Sequence, residues 1–534
     1  MRRRTSHKPD AYLPAWGYAD LPEPKPLAWR NWASFVGPGI VMVGIQVGGG
    51  EWLYGPEVTA RYGGSLMWIA TVAIAAQVFY NLECGRYALY CGEPIMSGFL
   101  RSRPGPRFWM GAILLLNLSM LIPGLSTHGA ATIAAMVLGR PPGIDDQGFV
   151  TTLAFICLGG VILPVLVGRK VYTTLQVVLT AKVVLVLSFC LFVGLFFVSW
   201  ENWINVLSGF VKFGSVPIDG ERGEKQVVNA FGYMFANGSF PTIAVSSVLM
   251  LGAFAGYAGG GGMSNSTYSN FVRDKGWGMG SLVGAIPSAI GGRNITLAHV
   301  GKVFPLSEEN LRRWKGWWRY ILTDQLVVWA PGCVLGMALP ALISLQFASH
   351  SPLYNQAVRP GWAQAMLTAD GVRHAPQFSP GTAHVFWLGT LFVGLMVFLP
   401  SQMAIVDDFS RRWTDILWTG SRRVRDTMHP ESVKRVYYTI LAGYTAWSFF
   451  CAWLFTRYSS PQLMTDIIAN INNVAIGATA LQLLWVNRNL LPPPLRPRWF
   501  SQAGLLFCGL FYLGLSGLVF ALKIWPEIKQ KLGP

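Results

Sequence analysis

The sequence predicts an all-α polytopic membrane protein with eleven transmembrane helices. Of the 534 residues, 52% are hydrophobic and only 13% are charged, whereas a soluble domain carries about 25% charged residues. The mean hydropathy is +0.39, and the apolar residues form segments of about 20 residues, which is the length that crosses a bilayer as a helix. Lys and Arg are concentrated between these segments, a pattern of membrane topology and not of nucleic-acid binding.

The predicted spans follow one another along the chain with mostly short connections. Their boundaries are 33–62, 66–92, 108–137, 149–167, 171–199, 238–272, 318–346, 383–408, 435–457, 461–487 and 499–523. They divide the chain into a cytoplasmic N-terminal segment (1–32), a first five-helix repeat (33–200), an external loop (201–237), a second five-helix repeat (238–487) and a last helix with an external C-terminus (488–534).

The basic residues also predict the orientation of the spans. They cluster before span one and after spans two, four, six, eight and ten. With eleven spans, all of these clusters lie on one side, which is the cytoplasmic side. The basic start of the chain is not followed by an apolar run until Ala33, so a cleaved signal peptide is not expected. We therefore predict a multi-pass protein of a bacterial inner membrane, with its N-terminus in the cytoplasm.

Glycine runs interrupt the first and the sixth spans. Span one contains three consecutive glycines at 48–50, and span six contains four at 259–262. Each glycine costs a helix about 1 kcal/mol relative to alanine, and backbone freed at mid-membrane is tolerated only in a protein interior or a water-filled cavity. Because the two spans are five apart, the paired breaks predict a 5+5 inverted repeat with its binding site at the breaks. The alternative is that these glycines serve only close helix packing.

The residues around both breaks resemble those of the Nramp family of metal-ion transporters. The stretch from Gly37-Pro38-Gly39 to Trp52 is similar to the first span of that family, and Met263 and Tyr268 match two positions of its sixth-span motif, Met-Pro-His-Asn-Leu-Tyr. This resemblance implies a leucine-transporter-like fold with an eleventh helix. It also implies alternating access and symport of divalent metal ions with protons.

The sequence departs from the family at the metal ligands. Gly48 stands where the family has a metal-binding Asp, and Asn265 replaces the family His. Span three lacks the acidic residues that the family uses for protons. Glu51 is the only carboxylate at the first break, and a carboxylate at this depth indicates a functional role.

The predicted substrate site therefore consists of Gly48, Glu51, Gly260, Met263 and Asn265, with Glu51 and Met263 as the metal ligands. Glu51 supplies a formal charge, and the thioether of Met263 favours transition metals over Mg²⁺ or Ca²⁺. Two alternatives stay open. Glu51 could instead cap the free N–H groups of the next half-helix, and Met263 could simply fill space in the core.

Lys182 lies inside the apolar span five. Amino-acid carriers with the leucine-transporter-like fold often have a lysine in this span, where its ammonium stands in for a sodium ion. This resemblance implies a coupling role for Lys182 and transport that is independent of sodium. The alternative is that Lys182 extends its ammonium to the cytoplasmic interface.

Two charged pairs are expected to be structural. Glu83 and Arg86 lie one helical turn apart on span two and are expected to form an ion pair. Asp407 and Asp408 lie at the predicted inner end of span eight, where solvated interface charges are expected.

Other polar residues lie within predicted spans. Asn470, Asn472 and Asn473 in span ten are expected to line the central cavity. His128 in span three is expected to be a hydrogen-bonded interior histidine and not a ligand.

The leading functional prediction is a secondary carrier of a divalent metal ion such as Mn²⁺ or Fe²⁺. The second is a carrier of a small organic solute such as an amino acid, because half-helix N-termini bind carboxylates. The sequence has no P-loop and no Gly-x-Ser-x-Gly motif, so neither an ATP-driven pump nor an enzyme is expected. We expect no cofactor and no nucleic-acid partner; the expected partners are a small cation or solute and the lipid bilayer, and the expected state is a monomer.

Overall fold

The computed structural model describes residues 12–32, 36–121, 124–219, 225–292, 295–354, 362–458 and 461–532. In these ranges the chain consists of α-helices, short 3-10 and π turns, and four short strands. The first strand, β1 (Gly17–Tyr18), precedes the helical bundle.

The first repeat contains the following helices: α1 (Pro38–Gln46) and α2 (Gly55–Tyr62) in span one, α3 (Trp68–Cys91) in span two, the connecting helix α4 (Ile95–Arg101), α5 (Pro106–Leu116) and α6 (Leu125–Leu138) in span three, α7 (Gln147–Leu166) in span four and α8 (Val171–Phe197) in span five. A π-helical turn, Gly50–Tyr54, lies between α1 and α2.

The connection between the repeats, which is predicted as a loop, is folded. It contains α9 (Trp200–Gly209), the antiparallel strands β2 (Ser215–Asp219) and β3 (Lys225–Asn229), and α10 (Ala230–Asn237). Ser199 caps α9 by accepting a hydrogen bond from the Asn202 N–H. Span six accordingly begins later than position 238.

The second repeat contains the following elements: α11 (Val245–Tyr257) and α12 (Tyr268–Lys275) in span six, strand β4 (Lys302–Val303), α13 (Glu308–Thr323) and α14 (Ala330–Phe347) in span seven, the connecting helix α15 (Ala363–Arg373), α16 (Pro380–Gly420) in span eight, α17 (Arg422–Thr427), α18 (Val433–Tyr458) in span nine and α19 (Pro461–Leu490) in span ten. Span eleven contains α20 (Trp499–Val519), which continues through a π turn into α21 (Trp525–Leu532).

Seven helical segments in the described part of the chain are long and apolar enough to cross a membrane. They are Leu118–Leu138, Ile144–Leu166, Val171–Phe197, Glu308–His350, Pro380–Gly420, Asp466–Leu490 and Trp499–Gln530. The pair Gly50–Leu66 and Trp68–Cys91, which contains the second half of span one and span two, is bent by 96° and is an eighth when counted as one span. The remaining predicted segments are α1, the two half-helices of span six, and α18, which is 26 residues long. The protein is therefore a multi-pass membrane protein.

Both predicted breaks are present. Helix α1 ends at Gln46, and the chain resumes as the π turn at Gly50. Helix α11 ends at Tyr257, and φ is +84° at Gly259 and +67° at Gly261. A Cβ is strained at such angles, so the extended path of span six requires glycine at these two positions.

The two breaks lie against each other. A Cβ on Gly50 would overlap the carbonyl oxygen of Tyr257, and a Cβ on Gly260 would overlap the Gln46 amide. Tyr54, just beyond the first break, stacks on Tyr257 with ring centroids 5.4 Å apart. Glycine at both positions is therefore what allows the broken segments of spans one and six to touch.

The second half of span one, α2, packs on span seven. The Ser344 hydroxyl on α14 donates a hydrogen bond to the Pro56 carbonyl at 2.9 Å. The Thr59 hydroxyl on α2 lies 3.1 Å from the Ala341 carbonyl and 2.9 Å from the Gly55 carbonyl of its own helix. These contacts attach α2 to α14 independently of α1.

Span three, which is predicted as one helix, is also interrupted. Helix α5 ends at Leu116, a 3-10 turn follows, and α6 begins only at Leu125.

The prediction that Asp407 and Asp408 are solvated is wrong. Both side chains are buried, with 0% and 2% exposure. The physical reason is that α16 does not end near position 408 but continues to Gly420, so the two carboxylates lie inside the bundle and are paired with arginines.

A buried ionic network joins α12 to α16. Asp274 accepts hydrogen bonds from Arg273 at 2.8 Å and from Arg411. Arg411 also bonds both oxygens of Asp407 at 3.0 Å, and Arg273 pairs with Asp415. Removing one partner from a buried pair leaves an uncompensated charge, so this network holds the end of span six against span eight.

We predict that Asp274→Ala destabilises the protein by about 3–5 kcal/mol, because Arg273 and Arg411 would both lose a buried partner. Asp426→Ala is the matched control, since the Arg422–Asp426 pair is 3.6 Å long with side chains 90% and 64% exposed. The control should cost less than about 1 kcal/mol. Unfolding of the purified proteins in detergent measures both, and equal losses would contradict the assignment.

Candidate functional site

A small cavity lies where the broken spans meet. Its volume is about 80 Å³. It is bounded by residues of spans one, three, six, eight and ten: Ile45, Gln46, Gly49, Gly50, Ser119, Met120, Leu125, Tyr257, Gly259, Gly260, Ser264, Ile405, Ile468 and Asn472. None of these described lining residues carries a formal charge. The cavity therefore offers backbone groups, amide and hydroxyl side chains, and one thioether.

Glu51 lies in the π turn of span one, next to the cavity-lining Gly50. The side chain is buried, with 1% exposure. One carboxylate oxygen accepts a hydrogen bond from the Gly48 N–H at 3.2 Å, whereas the other has no hydrogen-bond partner within the described ranges. The Gly259 backbone and the Lys182 ammonium also lie near this carboxylate. Glu51 is therefore close to both breaks but is not among the residues that line the cavity.

The other predicted substrate residues are divided between the cavity and the core. Gly260 lines the cavity. The Met263 side chain packs in the hydrophobic core, and the Met263 carbonyl accepts a hydrogen bond from Arg412 at 2.8 Å. The thioether at the cavity belongs instead to Met120, whose sulfur lies 3.3 Å from the same arginine.

Asn265 belongs to a row of buried amides. Its Nδ2 donates to the Gln77 Oε1 at 3.1 Å and to the Asn81 Oδ1 at 3.0 Å. Gln77 also accepts from the Gly260 N–H at 2.7 Å and donates to the Ala258 carbonyl at 2.8 Å. Asn265 therefore links span six to span two through hydrogen bonds, and it does not line the cavity.

The row of amides continues to a buried carboxylate in span seven. Asn81 donates to Gln325 at 2.9 Å, and Gln325 donates to Asp324 at 3.3 Å. The Tyr268 hydroxyl also donates to Asp324 at 2.8 Å. A Cβ on Gly39 would come within 2.7 Å of the other Asp324 oxygen, so Asp324 lies at the N-terminus of α1, where the helix dipole favours an anion.

Lys182 bridges three spans inside the bundle. Its ammonium donates to the Gly44 carbonyl at 2.7 Å and to the Ser401 hydroxyl at 2.5 Å. Ser401 in turn donates to the Ile45 carbonyl at 3.2 Å. The side chain is 3% exposed, so the ammonium is bound at the end of α1 instead of reaching the interface.

The predicted ion pair on span two is confirmed. Arg86 donates to Glu83 at 2.8 Å and lies over the Trp318 ring at 4.0 Å. The same carboxylate accepts from Asn487 of span ten at 2.9 Å. These contacts indicate a structural pair that is away from the central cavity.

The remaining polar predictions have mixed outcomes. Asn472 lines the cavity, but Asn470 and Asn473 donate to carbonyls of α11, at 3.1 and 2.9 Å. His128 is buried, but neither ring nitrogen has a hydrogen-bond partner in the part of the chain that the structure describes. The prediction of a hydrogen-bonded histidine is therefore wrong, and apolar neighbours such as Phe398 surround it instead.

The acidic and metal-ligating side chains are dispersed. Across the described residues, no group of three or more His, Cys, Asp or Glu side chains is placed so that it could hold a metal ion. A cation at the breaks would therefore depend on backbone carbonyls and neutral side chains, with Glu51 as the neighbouring source of negative charge.

Comparison with known proteins identifies the fold. No protein-family model and no curated protein match the sequence. The structure is similar to that of the Eremococcus coleocola manganese transporter in complex with an aromatic bis-isothiourea substituted compound, at 12% identity over 95% of this chain and 96% of that chain, with a TM-score of 0.56. A histidine-to-alanine mutant of that transporter gives 12% identity, 96% and 97% coverage, and a TM-score of 0.56. The chain therefore has the leucine-transporter-like fold, with a 5+5 inverted repeat and an eleventh helix.

Proposed function

We propose that the protein is a secondary transporter of a divalent metal ion such as Mn²⁺ or Fe²⁺, which it moves by alternating access around the breaks of spans one and six. The observation that carries this proposal is the buried Glu51 carboxylate, which has one unpartnered oxygen within the described ranges and no ion-pair partner there within 4 Å. A carboxylate buried in this way requires a cation or a proton.

The surroundings of Glu51 support a cation as the substrate. Both breaks free backbone carbonyls from helical bonding, and such oxygens coordinate cations in transporters with broken helices. Carbonyls supply no formal charge, whereas a dehydrated divalent ion requires some, and Glu51 is the nearest anion. The cavity of about 80 Å³ is far smaller than the roughly 300–1,000 Å³ of pockets that hold drug-sized ligands.

The proposed ligand set differs from that of the Nramp family. Glu51 takes the place of the Asp that is missing at Gly48, and the thioether comes from Met120 at the cavity or from Met263 in the core. Because Met263 packs in the hydrophobic core and does not line the cavity, span six must move before that sulfur can reach an ion in the cavity. One carboxylate and one thioether form a weaker site than the family pattern, so we propose a modest affinity.

A second candidate is a carrier of a small organic solute. It is favoured by the absence of charged side chains from the described cavity lining and by the presence of Tyr257 there. A bound carboxylate group would then use free N–H groups at the breaks. Uptake into proteoliposomes with a panel of metal ions and amino acids distinguishes the two candidates.

We further propose that Lys182 occupies the position of a coupling sodium ion. Its ammonium contacts a carbonyl of span one and a hydroxyl of span eight, which are oxygen ligands that also suit a small cation. A fixed positive charge at this position removes the need for sodium.

Glu51→Gln keeps the shape of the side chain and removes its charge. Two charges about 4 Å apart interact by about 4 kcal/mol at an effective dielectric constant of about 20, so we expect Mn²⁺ affinity to fall about a hundredfold or more. Calorimetry on the purified protein measures this change. Glu201→Gln, which alters an exposed carboxylate on α9, is the control and should bind as the unaltered protein does. Unchanged binding in Glu51→Gln, or no divalent-ion binding by the unaltered protein, would reject the metal proposal in favour of an organic solute.

The two candidate thioethers can be separated by substitution. Methionine and leucine have similar volumes, so Met120→Leu and Met263→Leu preserve packing and remove only the sulfur. Whichever substitution removes the metal-binding sulfur should lower the affinity for Cd²⁺ and Mn²⁺ and change the affinity for Mg²⁺ little. Parallel calorimetry with the three ions identifies the ligand, and equal affinities in both variants would exclude a thioether from the site.

Lys182→Ala leaves the Gly44 carbonyl and the Ser401 hydroxyl without their cation. Uptake by the unaltered protein should be the same in sodium and in choline buffers, whereas the variant should be impaired and should respond to added sodium. Lys212→Ala removes an exposed lysine and should leave uptake unchanged. Sodium-dependent uptake by the unaltered protein would overturn the proposed role of Lys182.

A further inference from the structure

A second cavity, which shares no lining residue with the central one, lies on the face of the bundle that carries the basic loops. It is a groove of about 1,100 Å³ between α3, α13 and the segment 493–501 that leads into α20. We propose that this groove is a binding site for an anionic phospholipid, with the phosphate head group at its basic end and the acyl chains along its apolar end.

The basic end of the groove carries cations without counter-ions. Lys315, Arg319, Arg496 and Arg498 line it and are exposed. Within the described ranges none of these four forms an ion pair, and the described lining contains no Asp or Glu. A fifth lining cation, Arg86, is already neutralised by Glu83. The groove therefore has a local excess of four positive charges.

The apolar end continues from the same helix faces. Leu322 and Leu326 follow Arg319 at three- and seven-residue spacing, which places them on one side of the helix, and Leu326 is 52% exposed. On the opposite wall Phe79 packs edge-to-face against Phe500 with ring centroids 5.2 Å apart. The groove thus changes from basic to apolar along its length.

Helices α3 and α13 run in opposite directions, yet both carry basic residues at one end of the groove and apolar residues at the other. On α3 the apolar Phe79 comes before Arg86, whereas on α13 Lys315 and Arg319 come before the apolar Leu322. Both walls nevertheless place their cations at the same end. An amphipathic lipid matches this arrangement, because basic pockets between membrane helices bind anionic head groups. A free phosphate would leave the apolar part unused.

Tryptophans mark the level of the head group. Trp314, Trp318 and Trp499 line the groove, and Trp499 is 78% exposed. Tryptophan is enriched where a membrane protein crosses the boundary between acyl chains and water. A lipid in this position would connect span seven to span eleven.

The proposal is tested by native mass spectrometry of the full-length protein, after equilibration with equal amounts of phosphatidylglycerol and phosphatidylcholine. We expect phosphatidylglycerol to be retained about tenfold better. A variant that combines Lys315→Gln, Arg319→Gln, Arg496→Gln and Arg498→Gln should lose this preference. The matched control combines Arg107→Gln, Arg423→Gln, Lys434→Gln and Arg435→Gln, which remove four exposed charges elsewhere, and should keep it.

Two further experiments test the apolar end of the groove and the need for acyl chains. Leu326→Glu places an anion beside the acyl chains and should lower retention, whereas Val327→Glu on the neighbouring exposed position should not. Glycerol phosphate should compete at least tenfold more weakly than the lipid. Equal retention of both lipids by the unaltered protein, equal losses in both quadruple variants, or full competition by glycerol phosphate would each overturn the proposal.

Discussion

The structure depends on satisfying the backbone groups that the helix breaks set free. In the hydrocarbon region lipid cannot hydrogen-bond an exposed N–H or carbonyl group, so side chains of neighbouring spans must do so. Gln77 bonds both an N–H and a carbonyl of the second break. Glu51 accepts from the first break, Lys182 holds a carbonyl at the end of α1, and Arg412 holds a carbonyl of the second break. Each bond brings a polar side chain to the centre of an apolar bundle.

These side chains explain why charges are buried near the breaks. Arg412 reaches the Met263 carbonyl only because Asp408 compensates its charge at 2.7 Å, and it also contacts Asn117 at the interruption of span three. Span eight is thereby connected to the breaks of spans three and six. The central cavity is lined by neutral groups, but it lies between Glu51 and the buried ions of α16.

The sequence predicts the spans and the two glycine breaks because both signals are local: an apolar run of sufficient length, and consecutive residues that disfavour a helix. It does not predict burial of the charges on α16, because a run of Asp and Arg has the same hydropathy whether it is solvated or paired. The i, i+4 spacing of Asp407 with Arg411, and of Asp408 with Arg412, was the available signal. The sequence also does not predict that the Met120 thioether lies at the cavity. This position depends on how three spans pack together, and no local sequence pattern encodes that packing.

The attachment of span one has a mechanical consequence. Its first half-helix, α1, is bound through Lys182 to spans five and eight, whereas its second half-helix, α2, contacts span seven through Thr59 and Ser344. The π turn between them therefore joins two half-helices that are anchored by different neighbours. A substitution that breaks one set of contacts loosens one half of span one and leaves the contacts of the other half in place.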